Sequence, residues 1–337
     1  MMFHRIVSLA GCLAVIAAAT VPTAAAAPEP GPPLTTPTGA LQQALSCNGD
    51  LSTAQRDPVL LVHGTFADSE INWNWNYKQA LPARGEPTCT VDLPDRAAGD
   101  IQISTEYVVY AIRTMARESG RKVAIIGHSQ GGLEARWALR WWPDIRHLVS
   151  EVILLATPNN GSAFTDGLCT SPGACAASLY QMRSDSALLA ALNRGRDAIG
   201  GVPYTSIVTN DDHVFVLPDQ GMLDAKGAQI SNVSVQQLCP DHHFNPPELA
   251  HVSLAFDGPT YAIVVDALDH RGPATLSRID AQSACSQATM PEVTLDEAYA
   301  KVADYATTLN YLLGPDGPKA PGEPSLACYA TNTCHRP

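Results

Sequence analysis

The sequence is poor in basic residues. Its 337 residues include 21 Lys and Arg against 33 Asp and Glu, for a formal net charge of −12. There is no basic block and no alternation of basic with aromatic residues, which argues against nucleic acid as a partner. There is also no Cys-x-x-Cys pair, so a zinc ribbon is not indicated. The acidic composition is typical of a soluble protein. The length of the chain is enough for one large core or two modest domains.

A long apolar run near the start of the chain predicts export. It extends from Ile6 to about Val21, follows His4 and Arg5, and leads to four alanines at 24–27. Residues 1–27 are therefore predicted to be a signal peptide, and the protein is predicted to be secreted. The run is too interrupted at its end to be a membrane span. A lipid attachment box at residues 9–12 is the weaker alternative, because it comes very early in the run.

The cysteines form an even set once the signal is removed. Nine occur, and Cys12 lies within the signal. An exported chain with an even cysteine count predicts disulfides. Spacing suggests two short local loops and two longer ones, namely Cys169–Cys175, Cys328–Cys334, Cys47–Cys89 and Cys239–Cys285.

The most informative stretch is the G-x-S-x-G pentapeptide Gly127-His128-Ser129-Gln130-Gly131. The apolar run at 123–126 predicts a strand before it, and residues 133–139 predict a helix after it. A serine in a strained turn between a strand and a helix is typical of a catalytic nucleophile. The alternative is a Gly-rich helix start with an ordinary capping serine.

Further apolar runs predict a parallel sheet. They lie at residues 58–62, 90–93, 152–155, 205–208 and 233–235, and they lack the alternation of a half-exposed strand. Helical patterns separate them, including one at 105–118 that Gly120 would cap. The fold class is therefore predicted to be α/β, with a doubly wound, mostly parallel sheet. A long insertion at 164–200 is expected to cover the site, and the capping box at 294–297 predicts a late helix to about Leu313.

These patterns predict one catalytic domain at residues 46–337. A Pro- and Thr-rich N-terminal segment at residues 28–45 precedes it. Residues 28–37 of that segment are expected to be extended or disordered.

A nucleophilic serine needs a base and an acid that orients the base. Two carboxylates, Asp211 and Asp212, follow the strand predicted at 205–208, and we choose Asp211 with Asp212 as the alternative. Of the histidines that follow, His251 is the best candidate for the base. His242 and His243 lie beside an aspartate, but without further ligands at suitable spacing no metal site is predicted there.

Two backbone N–H groups are expected to stabilise the negative charge that develops on the substrate. One is that of Gln130, directly after the nucleophile. The other is expected from the turn after the first buried strand, where Thr65 follows Gly64. The hydroxyl of Thr65 could add a third donor.

Several longer motifs make the chain resemble the lipases related to lipase B of the yeast Candida antarctica. They are Leu61-Val62-His63-Gly64-Thr65, Ser104-Thr105-Glu106-Tyr107, Ser129-Gln130-Gly131-Gly132-Leu133, Trp142-Pro143-Asp144-Ile145-Arg146, Ser178-Leu179-Tyr180-Gln181, Ser186-Ala187-Leu188 and Ala250-His251-Val252-Ser253-Leu254. The resemblance covers residues 46–334, nearly all of the mature chain, and implies the α/β-hydrolase fold.

The resemblance implies a triad of Ser129, Asp211 and His251, with Thr65 and Gln130 as oxyanion donors. It also implies three disulfides, Cys47–Cys89, Cys239–Cys285 and Cys328–Cys334, whereas Cys169–Cys175 has no counterpart.

Three residues are predicted to contact substrate: His128, Asn159 and His213. His128 stands where the yeast enzyme has a tryptophan that shapes the pocket for the alcohol part. His213 replaces an apolar residue expected at the entrance.

The function that these features predict is secreted carboxylic-ester hydrolysis, most readily of triacylglycerols, through an acyl-enzyme and without a cofactor. The partner is an ester or lipid substrate, with transient contact to a lipid interface, and the protein is expected to be a monomer. A short-chain or polyester esterase, an acyltransferase and a non-catalytic binding protein on the same scaffold are the alternatives.

Overall fold

The structure is a computed structural model, and it describes residues 1–2, 29–199, 201–225, 229–331 and 333–334. Nearly all of the predicted signal peptide, residues 3–27, lies outside the described residues. Among the described residues, no helix combines the length and the apolar character that a membrane crossing requires.

Seven strands form one sheet at the centre of the molecule. Its order is β1-β3-β2-β4-β5-β6-β7, and every neighbouring pair is parallel except β1 with β3. The strands are β1 (Leu45–Cys47), β2 (Val59–Val62), β3 (Thr88–Val91), β4 (Val123–His128), β5 (Val149–Leu155), β6 (Tyr204–Val208) and β7 (Ile230–Ser234).

Helices cover both faces of the sheet. The α-helices are α1 (Thr38–Ala44), α2 (Ser69–Asn72), α3 (Tyr77–Ala83), α4 (Ile101–Ser119), α5 (Gln130–Trp141), α6 (Ala163–Leu168), α7 (Ala177–Gln181), α8 (Ala187–Leu192), α9 (Pro218–Gly221), α10 (Val235–Leu238), α11 (Ala250–Ser253), α12 (Gly258–Asp269), α13 (Ala281–Cys285), α14 (Leu295–Leu313) and α15 (Cys328–Thr331). Short 3-10 helices lie at Leu51–Thr53, Pro94–Ala97, Pro143–Leu148, Pro247–Leu249 and Leu276–Arg278.

Two apolar cores lie on opposite faces of the sheet, because successive side chains of a strand point to opposite sides. Leu60 and Ile125 pack into the core that contains α4, α5, α7 and α8. Leu61 and Ile126, their neighbours in the chain, pack into the core that contains α3, α12 and α14. Both faces of β2 and β4 are therefore buried, which explains their unbroken apolar sequences.

The predicted fold class is confirmed, and most elements lie where the patterns placed them. Helix α4 begins earlier than expected, after the cap of Asp100, and it ends as predicted at Gly120, which has a left-handed φ of 64°. Thr294 caps α14 by accepting a hydrogen bond from the N–H of Glu297. The sequence patterns did not indicate β1, a short antiparallel edge strand.

Hydrogen bonds join part of the N-terminal segment to α4 and to Trp142. Residues 29–37 contain no helix or strand, but the Glu106 carboxylate on α4 accepts hydrogen bonds from the backbone of Thr35 and Thr36. The indole N–H of Trp142 also donates to the carbonyl of Pro32, at 2.8 Å. These bonds fit an extended segment, one of the two alternatives expected for residues 28–37. A domain boundary at residue 46 stays a prediction.

All four disulfides that spacing suggested are present in the structure. They join Cys47 to Cys89, Cys169 to Cys175, Cys239 to Cys285 and Cys328 to Cys334. Cys169–Cys175 closes a loop in the insertion between α6 and α7.

Candidate active site

Ser129 lies in the tight turn that joins β4 to α5. Its φ is 52°, a left-handed value that residues with a side chain rarely adopt. The turn needs glycine at two flanking positions: a Cβ on Gly131 would lie 2.3 Å from the carbonyl oxygen of Val62, and a Cβ on Gly127 would lie 2.6 Å from the amide nitrogen of Gly132. These contacts explain why the pentapeptide carries a glycine on each side of the serine.

Three side chains form a continuous hydrogen-bonded line at this turn. The Oγ of Ser129 lies 3.0 Å from Nε2 of His251, which is on α11. The Nδ1 of His251 lies 2.7 Å from Oδ2 of Asp212, which follows β6. His251 and Asp212 are both buried, so a proton on Nδ1 has a carboxylate acceptor shielded from water.

The surroundings of Asp212 favour its ionised form. Burial by itself would raise the pKa of this carboxyl, but the charge and hydrogen bond of His251 and the backbone N–H groups of Phe215 and Val216 outweigh it. Those two N–H groups donate at 2.9 and 3.2 Å. The pKa of Asp212 therefore lies below its ordinary value, and the carboxylate is held in one orientation toward the histidine.

The structure does not place Asp211 at His251, so our choice between the two aspartates was wrong. Oδ1 of Asp211 lies 3.0 Å from Nδ1 of His243, and its Oδ2 accepts the backbone N–H of Phe244 at 2.9 Å. Consecutive residues in a turn point their side chains in different directions, and only the folded turn decides which aspartate faces inward. Asp212, our alternative, is the one in contact with the histidine.

The backbone N–H groups of Thr65 and Gln130 have no acceptor within the part of the chain that the structure describes. Gln130 is the first residue of α5, so its N–H is one of the free donors of a helix start. The turn that carries Thr65 lies against the nucleophile, because a Cβ on Gly64 would be only 3.0 Å from Cβ of Ser129. Both donors are thus available for an oxyanion.

The hydroxyl of Thr65 is hydrogen-bonded to another side chain of the protein. It donates to Oε1 of Gln130 at 2.7 Å, and Nε2 of Gln130 in turn donates to Oε1 of Glu134 at 2.8 Å. Glu134 is completely buried, and burial raises its pKa to about 8 against the opposing hydrogen bond from Gln130. The sequence patterns gave no sign of Glu134, a carboxyl group in the interior of α5.

A largely apolar cavity opens at Ser129 and His251. Part of its lining comes from the insertion, from the loop after β6 and from α14. The lining residues are Thr65, Phe66, Ser129, Pro158, Ser162, Phe164, Thr165, Leu179, Met182, Phe215, Val216, His251, Tyr305 and Leu309. The insertion thus contributes to the site as expected. Tyr305 and Leu309 were missed because α14 is distant from the motifs in the sequence.

His128 lies behind the nucleophile rather than in this cavity. Its Nδ1 is 3.1 Å from Oδ1 of Asn72, and its Nε2 is 3.2 Å from the backbone oxygen of His251. Burial, followed by the charge of His251, lowers the pKa of His128 to about 3, so the ring is neutral at ordinary pH. The ring lines a second cavity together with residues such as Gly64 and Trp75.

The other two predicted substrate contacts, Asn159 and His213, are also not among the residues that line the Ser129 cavity. Asn159 is buried, and its side-chain amide binds Arg136, Ser206 and the carbonyl of Gly221. Its polar atoms stabilise the loop after β5, so its assignment to substrate was wrong. His213 is exposed, and Phe215 and Val216 reach the cavity in its place.

The adjacent histidines near Asp241 are engaged with separate carboxylates. Nε2 of His242 lies 2.7 Å from Oδ1 of Asp257, whereas His243 contacts Asp211. Within the ranges that the structure describes, no three His, Cys, Asp or Glu side chains gather as a metal site would require.

Comparisons with known proteins indicate the family of the chain. The model of the alpha/beta hydrolase family matches residues 59–301. Lipase B from Pseudozyma antarctica is 29% identical over 238 residues, which cover 68% of each chain. A triacylglycerol lipase from Pseudomonas fragi is 34% identical over 121 residues, or 35% of this chain and 40% of that one.

Among solved structures, lipase B from Aspergillus fumigatus superposes with a TM-score of 0.79 at 27% identity, covering 93% of this chain and 75% of that one. The resemblance that the sequence motifs suggested is thereby confirmed.

Proposed function

This chain belongs to the alpha/beta hydrolase family, and we propose that it is a secreted lipase that cleaves carboxylic esters through Ser129, His251 and Asp212. Family and lipase relatives together make it a serine ester hydrolase.

The observation that carries the proposal is the line from Ser129 through His251 to Asp212, with the serine at the floor of an apolar cavity. In the proposed reaction, Ser129 Oγ attacks the ester carbonyl carbon while Nε2 of His251 takes the hydroxyl proton. The carboxylate of Asp212 stabilises the imidazolium that forms. The proton then passes to the departing alcohol, and water attacks the acyl-enzyme with the same histidine as base.

The N–H groups of Thr65 and Gln130 are the proposed donors to the oxyanion. Each can supply a hydrogen bond from the fixed backbone, so no reorganisation is needed when the negative charge develops. The start of α5 adds the positive end of a helix dipole at the same point.

An apolar acyl chain is the group that best fits the cavity, because Phe164, Leu179 and Leu309 line it. Two exposed apolar side chains, Leu168 on α6 and Val214 in the loop after β6, lie on segments that contribute to the same lining. They support contact with a lipid surface. The four disulfides support export, since such bonds persist in oxidising environments.

A series of p-nitrophenyl esters with increasing acyl length tests the substrate class. We expect kcat/KM to rise with each added methylene until the cavity is filled, by at most about fourfold per CH₂, which corresponds to about 0.8 kcal/mol of burial. Emulsified triacylglycerols should also be hydrolysed. The Ser129→Ala variant is the blank for both substrates. Activity confined to the shortest soluble esters would contradict a lipase and identify an esterase.

A further inference from the structure

Three side chains connect the protein interior to the wall of the Ser129 cavity. The Thr65 hydroxyl donates to Oε1 of Gln130 at 2.7 Å, and Nε2 of Gln130 donates to Oε1 of Glu134 at 2.8 Å. Gln130 and Glu134 are fully buried, and Thr65 lines the cavity. Thr65 and Gln130 therefore each donate one hydrogen bond in the direction of Glu134.

The donor and acceptor roles in these two hydrogen bonds determine whether the Thr65 hydroxyl can donate to an oxyanion. A threonine hydroxyl has one proton, and here that proton is used on Gln130. In this arrangement an oxyanion beside Ser129 can receive bonds from the backbone N–H groups but none from the Thr65 side chain. The hydroxyl can donate to an oxyanion without giving up its bond to Gln130 when the Gln130 amide presents its NH₂ group to Thr65 instead.

The protonation of Glu134 selects between the two amide orientations. A carboxylate can only accept, so it requires the NH₂ of Gln130 and leaves the amide oxygen facing Thr65. A protonated carboxyl can donate its O–H to the amide oxygen. The rotated amide then donates to Oγ1 of Thr65, and the hydroxyl proton is released toward the cavity.

We propose that Glu134 is a positioning residue that controls, through Gln130, a third hydrogen-bond donor to the oxyanion: the hydroxyl of Thr65. The proposal rests on the proposed ester hydrolysis at Ser129. In this mechanism the protonated form of Glu134 is the more active one, and loss of its proton to solvent withdraws the donor.

The surroundings of Glu134 allow it to titrate in a useful range. Burial raises its pKa to about 8, and its Oε2 has no hydrogen-bond partner in the described part of the chain. No other charged side chain is among the causes of the shift. On its own helix, the fully buried Arg136 is engaged with Asn159 and Asn193.

Charged groups also lie on the elements packed against α5. On β5, burial raises the pKa of Glu151 to about 9, and its Oε2 has no hydrogen-bond partner in the described part of the chain. On α4, Glu106 binds the backbone of residues 35 and 36, and Arg113 pairs with Asp144 of the neighbouring 3-10 helix. In that same 3-10 helix, Arg146 donates to the carbonyl of Leu139. At the end of β4, His128 is neutral, since burial lowers its pKa to about 3. The helix α8 has no charged residue.

The test is the pH dependence of kcat for a soluble p-nitrophenyl ester, measured from about pH 6 to about pH 10. In the wild type we expect kcat to fall about 100-fold with a midpoint near 8, while KM changes little. Thr65→Val lacks the hydroxyl, so its kcat should stay at the lower level without this fall. Thr65→Ser, the conservative variant, should restore both the higher level and the fall.

A further variant, Glu134→Gln, tests the role of the carboxyl group itself. Its amide does not titrate, so the fall near pH 8 should disappear. A fall that persists in Glu134→Gln or in Thr65→Val, or a wild type without any fall, would overturn the proposal. If Glu134→Gln does not fold, as judged by thermal unfolding, the two Thr65 variants decide the question alone.

Failure of this proposal is distinguishable from failure of the proposed function. Ester hydrolysis that depends on Ser129 but lacks the predicted pH response refutes only the role of Glu134. Hydrolysis that survives Ser129→Ala refutes the function on which the proposal rests.

Discussion

Replacing Ser129 with alanine is expected to lower kcat for ester hydrolysis about 10⁶-fold, the scale of the loss when a serine hydrolase loses its nucleophile. The reason is that Ser129 Oγ is the group 3.0 Å from the base nitrogen of His251. Without it no acyl-enzyme forms. The residual rate should reflect only substrate binding and the backbone oxyanion donors. The measurement is kcat of purified variants on one soluble ester, together with labelling by a serine-directed phosphonate.

Ser162 offers a matched control for this experiment. It lines the same cavity, but its Oγ donates to the carbonyl of Phe215 and caps α6 instead of contacting a histidine. Ser162→Ala should keep kcat within about tenfold, with a loss of stability of about 1 kcal/mol from the missing cap. Phosphonate should label the wild type and Ser162→Ala once each and leave Ser129→Ala unlabelled. Comparable activity in Ser129→Ala and the wild type would refute the proposed mechanism.

Asp212→Asn is expected to lower kcat about 10⁴-fold while the fold remains intact. The amide of asparagine can present an NH₂ group to Nδ1 of His251, so the ring adopts the wrong tautomer and Nε2 no longer accepts the serine proton. No such effect is expected for Asp211→Asn, because Asp211 contacts His243 and the N–H of Phe244. Its kcat should stay within about tenfold of the wild type.

The two variants make the same chemical change, aspartate to asparagine, at adjacent positions. Measuring both at several pH values, with the thermal midpoint of each, separates a catalytic loss from a folding defect. The opposite outcome, a large loss in Asp211→Asn and a small one in Asp212→Asn, would mean that the acid of the working enzyme is not the one in contact with His251.

Much of the fold and part of the site could be predicted because local patterns carry them. The unbroken apolar runs indicated buried parallel strands, and the glycines around Ser129 indicated a turn that tolerates no Cβ at Gly127 or Gly131. His251 was found because a histidine was expected after the last strand of the series. Each of these inferences depends on residues that are neighbours in the chain.

The errors arose where side-chain direction or distant packing decides the outcome. The order of Asp211 and Asp212 depends on how the turn after β6 is rotated. Asn159 follows a strand, yet its side chain is bonded to Arg136 and to the carbonyl of Gly221 at the end of α9. The two residues that α14 contributes, Tyr305 and Leu309, join the cavity because α14 packs beside the turn that carries Thr65, where the Tyr305 hydroxyl donates to the Thr65 carbonyl.

By itself, the sequence determined the class of fold and the four cysteine pairs, and it indicated Ser129 and His251 as the proposed nucleophile and base. Periodicity, turn chemistry and spacing suffice for this because they are properties of short segments and of residue counts. The tertiary structure alone decided which aspartate faces His251, which apolar side chains form the cavity, and that Thr65, Gln130 and Glu134 form one line. Those relations join residues up to about 240 positions apart, as in the bond from Tyr305 to the carbonyl of Thr65. Only packing in three dimensions brings such groups within hydrogen-bond distance.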